Sequence, residues 1–252
     1  MYGIGPDYSQ SGQNGPSIFP TTSLALRLAY TFDTNYYIQA AILDGVPGDL
    51  GNDNGTQIQL GDNEGALYAL ELGYTQGGEG AADRYAKWAL GAWYYSEKFD
   101  DLMDIDSNDN PIRRNNNQGI YALAEYEFFR ESDLSEQGAT AFVRYGIAND
   151  DVNQIDSYFG SGIVYTGLLP GRDEDQFGIA IAIASNGSKY KQWQISEGNR
   201  VDDRETAIEL SYRMQVFPWL AIQPDLQWIK NPSMDPSISD VTVVGVRTEI
   251  VF

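Results

Sequence analysis

The chain of 252 residues contains no cysteine and no histidine. The first absence removes disulfides, thiolate metal sites and cysteine nucleophiles. The second removes Ser-His-Asp chemistry and nearly all zinc catalysis, so the expectation is a protein that is not an enzyme and holds no cofactor. Basic residues are few: 16 Lys and Arg stand against 36 Asp and Glu, a formal net charge of -20, and they form no patch. That balance argues against nucleic acid as a partner. No run of about 18 apolar residues occurs, so no transmembrane helix is expected. Residues Met1 to Pro6 have neither a basic nor an apolar signal region, and the expectation is that a leader has been removed or that the chain starts late.

What the chain does have is period-two alternation. The last segment, Val241 to Phe252, places Val244, Val246, Thr248, Ile250 and Phe252 on one face and Gly245, Arg247, Glu249 and Val251 on the other. Alternation of that kind is a strand with one face for oil and one for water. The same reading gives strands at Ser23 to Thr31, Tyr36 to Leu43, Ala66 to Thr75, Tyr85 to Tyr95, Gly119 to Arg130 and Ala139 to Ile147. Further strands follow at Ile155 to Leu168, Gln176 to Ser185, Arg204 to Val216 and Trp219 to Ile229. Each of the eleven is near the 9–11 residues of a tilted membrane-spanning strand. Their inward sides carry Arg27, Gln39, Glu71, Lys87, Glu125, Arg144, Glu209, Arg213, Asp225 and Arg247, while Gln176 to Ser185 offers only Gly178, Ala180, Ala182 and Ala184. Aromatics gather near strand ends, as membrane interfaces favour.

Connections alternate in length. Tight links fall at Phe32 to Asn35, Gln76 to Arg84, Glu131 to Gly138, Leu169 to Asp175 and Phe217-Pro218. Long polar loops are read at Asp44 to Gly65, Ser96 to Gln118 and Asn186 to Asp203, with Ala148 to Gln154 the weakest long member. This partition is that of an all-β, antiparallel, up-and-down transmembrane β-barrel, with short periplasmic turns and long external loops. Mean hydropathy is negative, at -0.38. A barrel tolerates this because alternate residues face a wet lumen. Residues 1–22 read as a loop segment and 23–252 as the barrel portion.

Several motifs carry a family resemblance. They are Gln13-Asn14-Gly15-Pro16-Ser17-Ile18-Phe19-Pro20, Asp44-Gly45-Val46-Pro47-Gly48-Asp49 and Phe142-Val143-Arg144-Tyr145-Gly146. Two more are Tyr165-Thr166-Gly167-Leu168-Leu169-Pro170-Gly171-Arg172 with Asp175, and Gln223-Pro224-Asp225-Leu226-Gln227-Trp228-Ile229 with Asn231-Pro232. Together they resemble the carbohydrate-selective porin family (OprB-like), nearly end to end. A terminal Phe252 is similarly typical of bacterial outer-membrane barrels. The resemblance implies passive diffusion of small sugars through a barrel of about sixteen strands in the bacterial outer membrane, among outer-membrane lipid and lipopolysaccharide. Eleven strands depart from that number and from the even count of bacterial barrels. The chain is therefore expected to be the carboxyl-terminal two-thirds of such a porin or a truncated product, with Ser23 to Thr31 and Val241 to Phe252 left as unpaired edges.

A porin selects by pore width, charge and hydrogen-bonding groups, and the inward set listed above supplies the pore-lining candidates. For each of them the competing role is a wall residue that holds barrel shape. If the missing strands precede this chain, the segment before Ser23 ends a loop that folds into the lumen. Tyr8, Gln13, Asn14 and Phe19 would then face Arg144, Arg213 and Arg247; the alternative is a loop lying over the rim. Acidic residues crowd two external loops, Asp49, Asp53, Asp62 and Glu64 in one and Asp100, Asp101, Asp104, Asp106 and Asp109 in the other. No calcium-loop pattern is complete there, because Asp109 stands where Gly is required. Loose divalent cations or a solvated acidic surface remain as readings. Two further classes stay open: a secreted or outer-membrane β-protein that binds carbohydrate without forming a channel, and a carboxylate-pair enzyme at Glu125 and Glu127. The spacing of those two is simply what one strand face gives.

Overall fold

Large apolar residues at every second position drive these segments into strands, because neighbouring side chains leave an extended chain on opposite faces. The computed structural model describes residues 5–18, 21–48, 64–78, 82–132 and 135–251. Its strands are β1 (Ala25–Phe32), β2 (Tyr36–Asp44), β3 (Ala66–Gln76), β4 (Ala86–Tyr95), β5 (Phe99–Ile105), β6 (Pro111–Arg114) and β7 (Gln118–Arg130). They continue with β8 (Gly138–Ala148), β9 (Ile155–Thr166), β10 (Gln176–Asn186), β11 (Arg204–Phe217), β12 (Leu220–Lys230) and β13 (Val241–Ile250). Eleven of them form one antiparallel sheet in chain order, from which β5 and β6 are set apart as a small hairpin of their own.

Register fixes the two faces. Leu28 lies opposite Ala40, Ala40 opposite Leu70, Leu70 opposite Ala92, Ala92 opposite Ile120 and Ile120 opposite Ile147, one apolar row across six strands. Nothing among the described residues covers it: Leu28 is 67% exposed and Val244 76%. A soluble sandwich would bury this face under a second sheet, whereas a membrane wall presents it to lipid. The strand whose facing is least regular in sequence, β9, joins the same face, with Phe159 opposite Tyr145 and Ile183. The tight β1–β2 link turns through Asp33 and Thr34, both left-handed (φ 53° and 55°), a turn whose twist matches that of the flanking strands. Among the described residues β1 pairs only with β2 and β13 only with β12, so the sheet is open and its two edges do not meet.

Three loop expectations are corrected. The segment before Ser23 is not wholly irregular: Pro6, at the first helical position where a missing N–H costs nothing, starts a single helical turn, α1 (Pro6–Ser9). The long loop after β4 contains the β5–β6 hairpin, and the one after β10 contains a helix, α2 (Ser188–Ser196). Neither shows in the sequence as a core-facing pattern, because both stand at the rim. The link between β8 and β9 is short, only residues 149–154, although it lies at the long-loop end. Its neighbours explain this. The β5–β6 hairpin and α2 reach it from either side, so a longer loop would displace them: the Leu102 N–H donates to the Asp151 carbonyl at 2.9 Å and the Gly187 N–H to the Gln154 carbonyl at 2.8 Å.

Candidate functional site

The polar face of the sheet is the candidate site, and its organisation begins with glycine. One cross-strand row runs Gln39, Glu71, Gly91, Tyr121, Gly146, Tyr158. Large residues alternate with glycines, which leaves room for the tyrosine ring to lie flat across its neighbour. A Cβ on Gly91 would stand 2.2 Å from the Tyr121 ring. Lying there, Tyr121 reaches over β4 and donates its hydroxyl to Glu71 at 2.6 Å. Glu71 also accepts from Tyr37 at 2.9 Å and from Gln39 at 2.7 Å, and Gln39 in turn accepts from Arg27 at 2.5 Å. Arg27, Gln39 and Glu71 are thus held in one chain of hydrogen bonds along the wall.

Arg144 occupies the next station. Its guanidinium lies 5.6 Å from the Tyr121 ring centre and 5.0 Å from that of Tyr158, and it donates to both carboxylate oxygens of Asp7, at 3.1 and 3.5 Å. Asp7 belongs to α1, so the amino-terminal segment lies on the polar face, over β8 and β9. The Asp7 side chain is fully buried there. Burial raises its carboxyl above the ordinary range, with the charge and hydrogen bonds of Arg144 opposing but not cancelling the effect. Gly146 makes the contact possible, since a Cβ there would stand 2.2 Å from an Asp7 oxygen.

The segment has a second anchor. Tyr8 stacks on Trp93 with centroids 5.3 Å apart, Trp93 meets Tyr95 at 6.0 Å, and Tyr95 meets Phe99 at 5.4 Å at the base of the β5–β6 hairpin. The Tyr95 hydroxyl donates to the Ser11 carbonyl at 3.2 Å. Asn14 donates to the carbonyls of Pro47 and Gly48, at 3.3 and 3.1 Å, while Gln13 is exposed. Phe19 lies outside the described residues, as do Asp49, Asp53, Asp62 and Phe252. Of the three arginines expected to face this segment, only Arg144 meets it among the described residues. Arg213 instead donates to Gln215 at 2.9 Å and lies 3.7 Å from Glu249, and no contact joins Arg247 to the segment among the described residues.

The remaining lining candidates are less constrained. Lys87 stands opposite Glu125, whose carboxylate accepts from Tyr85 at 2.9 Å. Asp225 lies over Gly245, where a Cβ would be 2.4 Å from its oxygen, and accepts from Gln227 at 3.2 Å. Glu209 faces Ala180 on one side and Gln227 on the other. Gln176 is opposite Arg213 and Gln223 opposite Arg247, so two cations and two amides share one end of β10 to β13. Between them and the rim, β10 presents Gly178, Ala180, Ala182 and Ala184, which leave the surface bare.

At the rim, Lys189 of α2 draws three loops together. It donates to Asp101 at 2.8 Å, to Asp104 at 3.0 Å and to Asp151 at 2.8 Å, while Arg114 donates to Asp101 and Asp104, both at 2.8 Å. Burial opposes the charge on Asp101, but hydrogen bonds from Lys189, the backbone N–H groups of Asp104 and Met103, and Arg114 outweigh it and hold the carboxyl well below its usual range. Burial likewise opposes the charge on Lys189, and its three carboxylate partners raise it above the ordinary lysine value. The acidic cluster read from sequence is therefore, in part, a set of ion-pair partners. Among the described residues no group of three carboxylates is arranged for a metal. Asp7 and Lys189 are the two anchoring residues that sequence reasoning missed. Asp7 has no strand context, and Lys189 sits in a helix without an apolar face.

Porin B of Pseudomonas aeruginosa is 27% identical to this chain over 267 residues, which cover 97% of this chain and 59% of that protein. The high-pH structure of OprB from Pseudomonas putida superposes with a TM-score of 0.82 at 23% identity, over 93% of this chain and 60% of that one. The low-pH structure of the same protein gives 0.58 at 18% identity, over 89% and 54%. The chain thus spans about three fifths of the length of the curated relative, and the structural likeness supports the fold. The model of the carbohydrate-selective porin family matches residues 1–252, and with a porin-like sheet bearing an uncovered apolar face, the chain belongs to the carbohydrate-selective porin, OprB family.

Proposed function

We propose that this chain forms wall and constriction of a channel in the bacterial outer membrane, through which small sugars diffuse without bond chemistry. The observation that carries the reading is the division of the sheet: one face apolar and uncovered, the other polar and occupied by the chain's own amino-terminal segment. Lipid and lipopolysaccharide would meet the first face. Sugars would pass between the docked segment and the free polar surface opposite. The segment, with Tyr8 and Asn14, narrows the passage. Arg144 holds it in place instead of meeting the sugar, because its guanidinium is already engaged by Asp7 and two tyrosine rings. Contact with sugar hydroxyls falls to Arg213, Arg247, Glu209, Asp225 and Lys87, whose hydrogen-bonding capacity is largely unspent. Loose divalent cations would meet the exposed Asp100, Asp106 and Asp109, not the carboxylates already paired with Lys189.

The test is sugar block of single-channel current in planar bilayers, with protein purified from outer membranes. Arg213→Ala and Arg247→Ala should each raise the half-blocking D-glucose concentration by about threefold to tenfold, the net worth of one ordinary hydrogen bond in water. Unchanged block across Arg213, Arg247 and Glu209 substitutions would show that sugars are not selected on this surface.

A further inference from the structure

The helix α2 stands apart from the rest of the molecule in what it buries. None of its nine residues is buried. Helices in folded proteins earn their place by covering an apolar stripe, yet here Tyr190 and Trp193 are only partly buried and Ile195 is 68% exposed. The Tyr190 and Trp193 rings lie side by side, with centroids 5.8 Å apart and planes inclined at 58°. Neither the Tyr190 hydroxyl nor the Trp193 indole N–H has a hydrogen-bond partner among the described residues. Beside them, Gln194 accepts from Asn199 at 2.8 Å, which leaves the Gln194 amide N–H groups and the Asn199 carbonyl oriented as a pair.

The helix is nevertheless fixed. Lys189 is bound to carboxylates from two neighbouring loops, and the Gly187 N–H and the Asn186 side chain both meet Gln154, at 2.8 and 3.2 Å. An aromatic pair held this way loses little freedom when something lands on it, which favours binding.

Resting on the channel reading above, we infer that Tyr190 and Trp193 form an outer capture site for a pyranose sugar at the rim of the pore, before the lumen is entered. Each ring offers a flat apolar face to the C–H groups of the sugar, the two inclined to one another as sides of a shallow cradle, and the Gln194 and Asn199 amides offer donors and acceptors to its hydroxyls. Charge decides against the competing occupant, an anionic lipid headgroup. Both lysines of the helix are already engaged, Lys189 by Asp101, Asp104 and Asp151, and Lys191 by Asp203 at 2.9 Å, so the helix itself has no spare cation for a phosphate and the exposed Arg200 lies beyond its end.

The experiment uses single-channel recordings with D-glucose added to one side of the bilayer at a time. Trp193→Ala and Tyr190→Ala should lower the association rate of the sugar about threefold to tenfold when it is added from the α2 side, and leave the rate from the other side unchanged. Trp193→Phe, which keeps a ring, should retain most of the wild-type rate and shows that the helix is still formed; if Trp193→Ala yields no channels, Trp193→Leu carries the same test. An unchanged rate from the α2 side, or an equal fall from both sides, overturns the capture site. So does a Trp193→Ala protein whose sole defect is weaker binding to vesicles containing lipopolysaccharide. Absence of block in the wild type from either side would sink the channel reading itself, whereas block that is present but indifferent to Trp193 sinks this inference alone.

Discussion

The polar face has two halves that solve different problems. From β2 to β9 it is crowded: Glu71 gathers three donors, Tyr121 bridges a strand, and Arg144 clamps Asp7 between two rings. From β10 to β13 it is open, with a glycine and alanine column and charges that reach few partners. Both halves contain Arg and Glu at the same strand periodicity. What separates them is a tyrosine that folds over an adjacent glycine and spends its hydroxyl within the wall, as Tyr121 does over Gly91, whereas Asp225 over Gly245 gains only Gln227. The lesson is that an inward charge acquires a role from its neighbours across the sheet: crowded charges build shape, and sparse ones stay available to a solute.

The comparison breaks most sharply at Gly146. Replacing it by Val puts carbon where Asp7 sits, so the segment should leave the wall while the strand remains. Single-channel conductance should rise, and Arg144→Ala should have the same direction, because a buried carboxylate stripped of its partner costs about 3–5 kcal/mol. Conductance unchanged in both variants would mean that the segment does not narrow the pore.

Next in size is the rim. Lys189→Met should release α2 and the β5–β6 hairpin at a local cost of about 2–3 kcal/mol for its charged hydrogen bonds, seen as faster proteolysis within residues 96–117 and 187–203. Its pH response has a definite sign. Asp101 and Asp151 are lowered, so their contribution is present above the ordinary carboxylate range and is lost only as pH falls through their lower folded values. Lys189 is raised, so its contribution is present below the ordinary lysine value and is lost only as pH rises through the higher one. Protection from hydrogen exchange at the rim, taken relative to the unstructured rate at each pH, should therefore stay flat between about pH 5 and 9. A transition inside that window would break the assignment.

A smaller effect sharpens the contrast within the crowded half. Glu71→Leu strands three donors and should destabilise the wall by about 1–3 kcal/mol, while Glu71→Gln keeps an acceptor and should cost less. The smallest stability effect belongs to the open half, where Arg213→Ala should cost at most about 1 kcal/mol and leave heat-induced unfolding of the purified protein nearly unchanged.

The sheet was legible because period-two alternation writes both faces into the chain, and all eleven wall strands lie within two residues of their expected bounds. The facing of Leu28, Leu70, Leu210 and Ile250 follows from the same pattern. Rim elements were not legible. The β5–β6 hairpin and α2 pack through charge, so no apolar period marks them. The site was legible only as a list of inward residues. Alternation says that Arg144 and Arg213 point the same way, but only cross-strand register reveals that Gly160 lies opposite Arg144 and Tyr121 opposite Gly146. Asp7 lay beyond any periodic argument, since its partner is 137 residues away.

The stack of Tyr8 on Trp93 has an optical consequence. An indole held at 5.3 Å from a phenol ring, 3% exposed and edge-on to Tyr95, sits in a rigid chiral setting. Such a chromophore contributes strongly to near-ultraviolet circular dichroism, and Trp93 is the most buried of the indoles among the described residues. Trp93 is thereby a built-in gauge of the amino-terminal segment, and the ellipticity near its absorption band should fall when Gly146→Val lifts Tyr8 away, with no label attached to the protein.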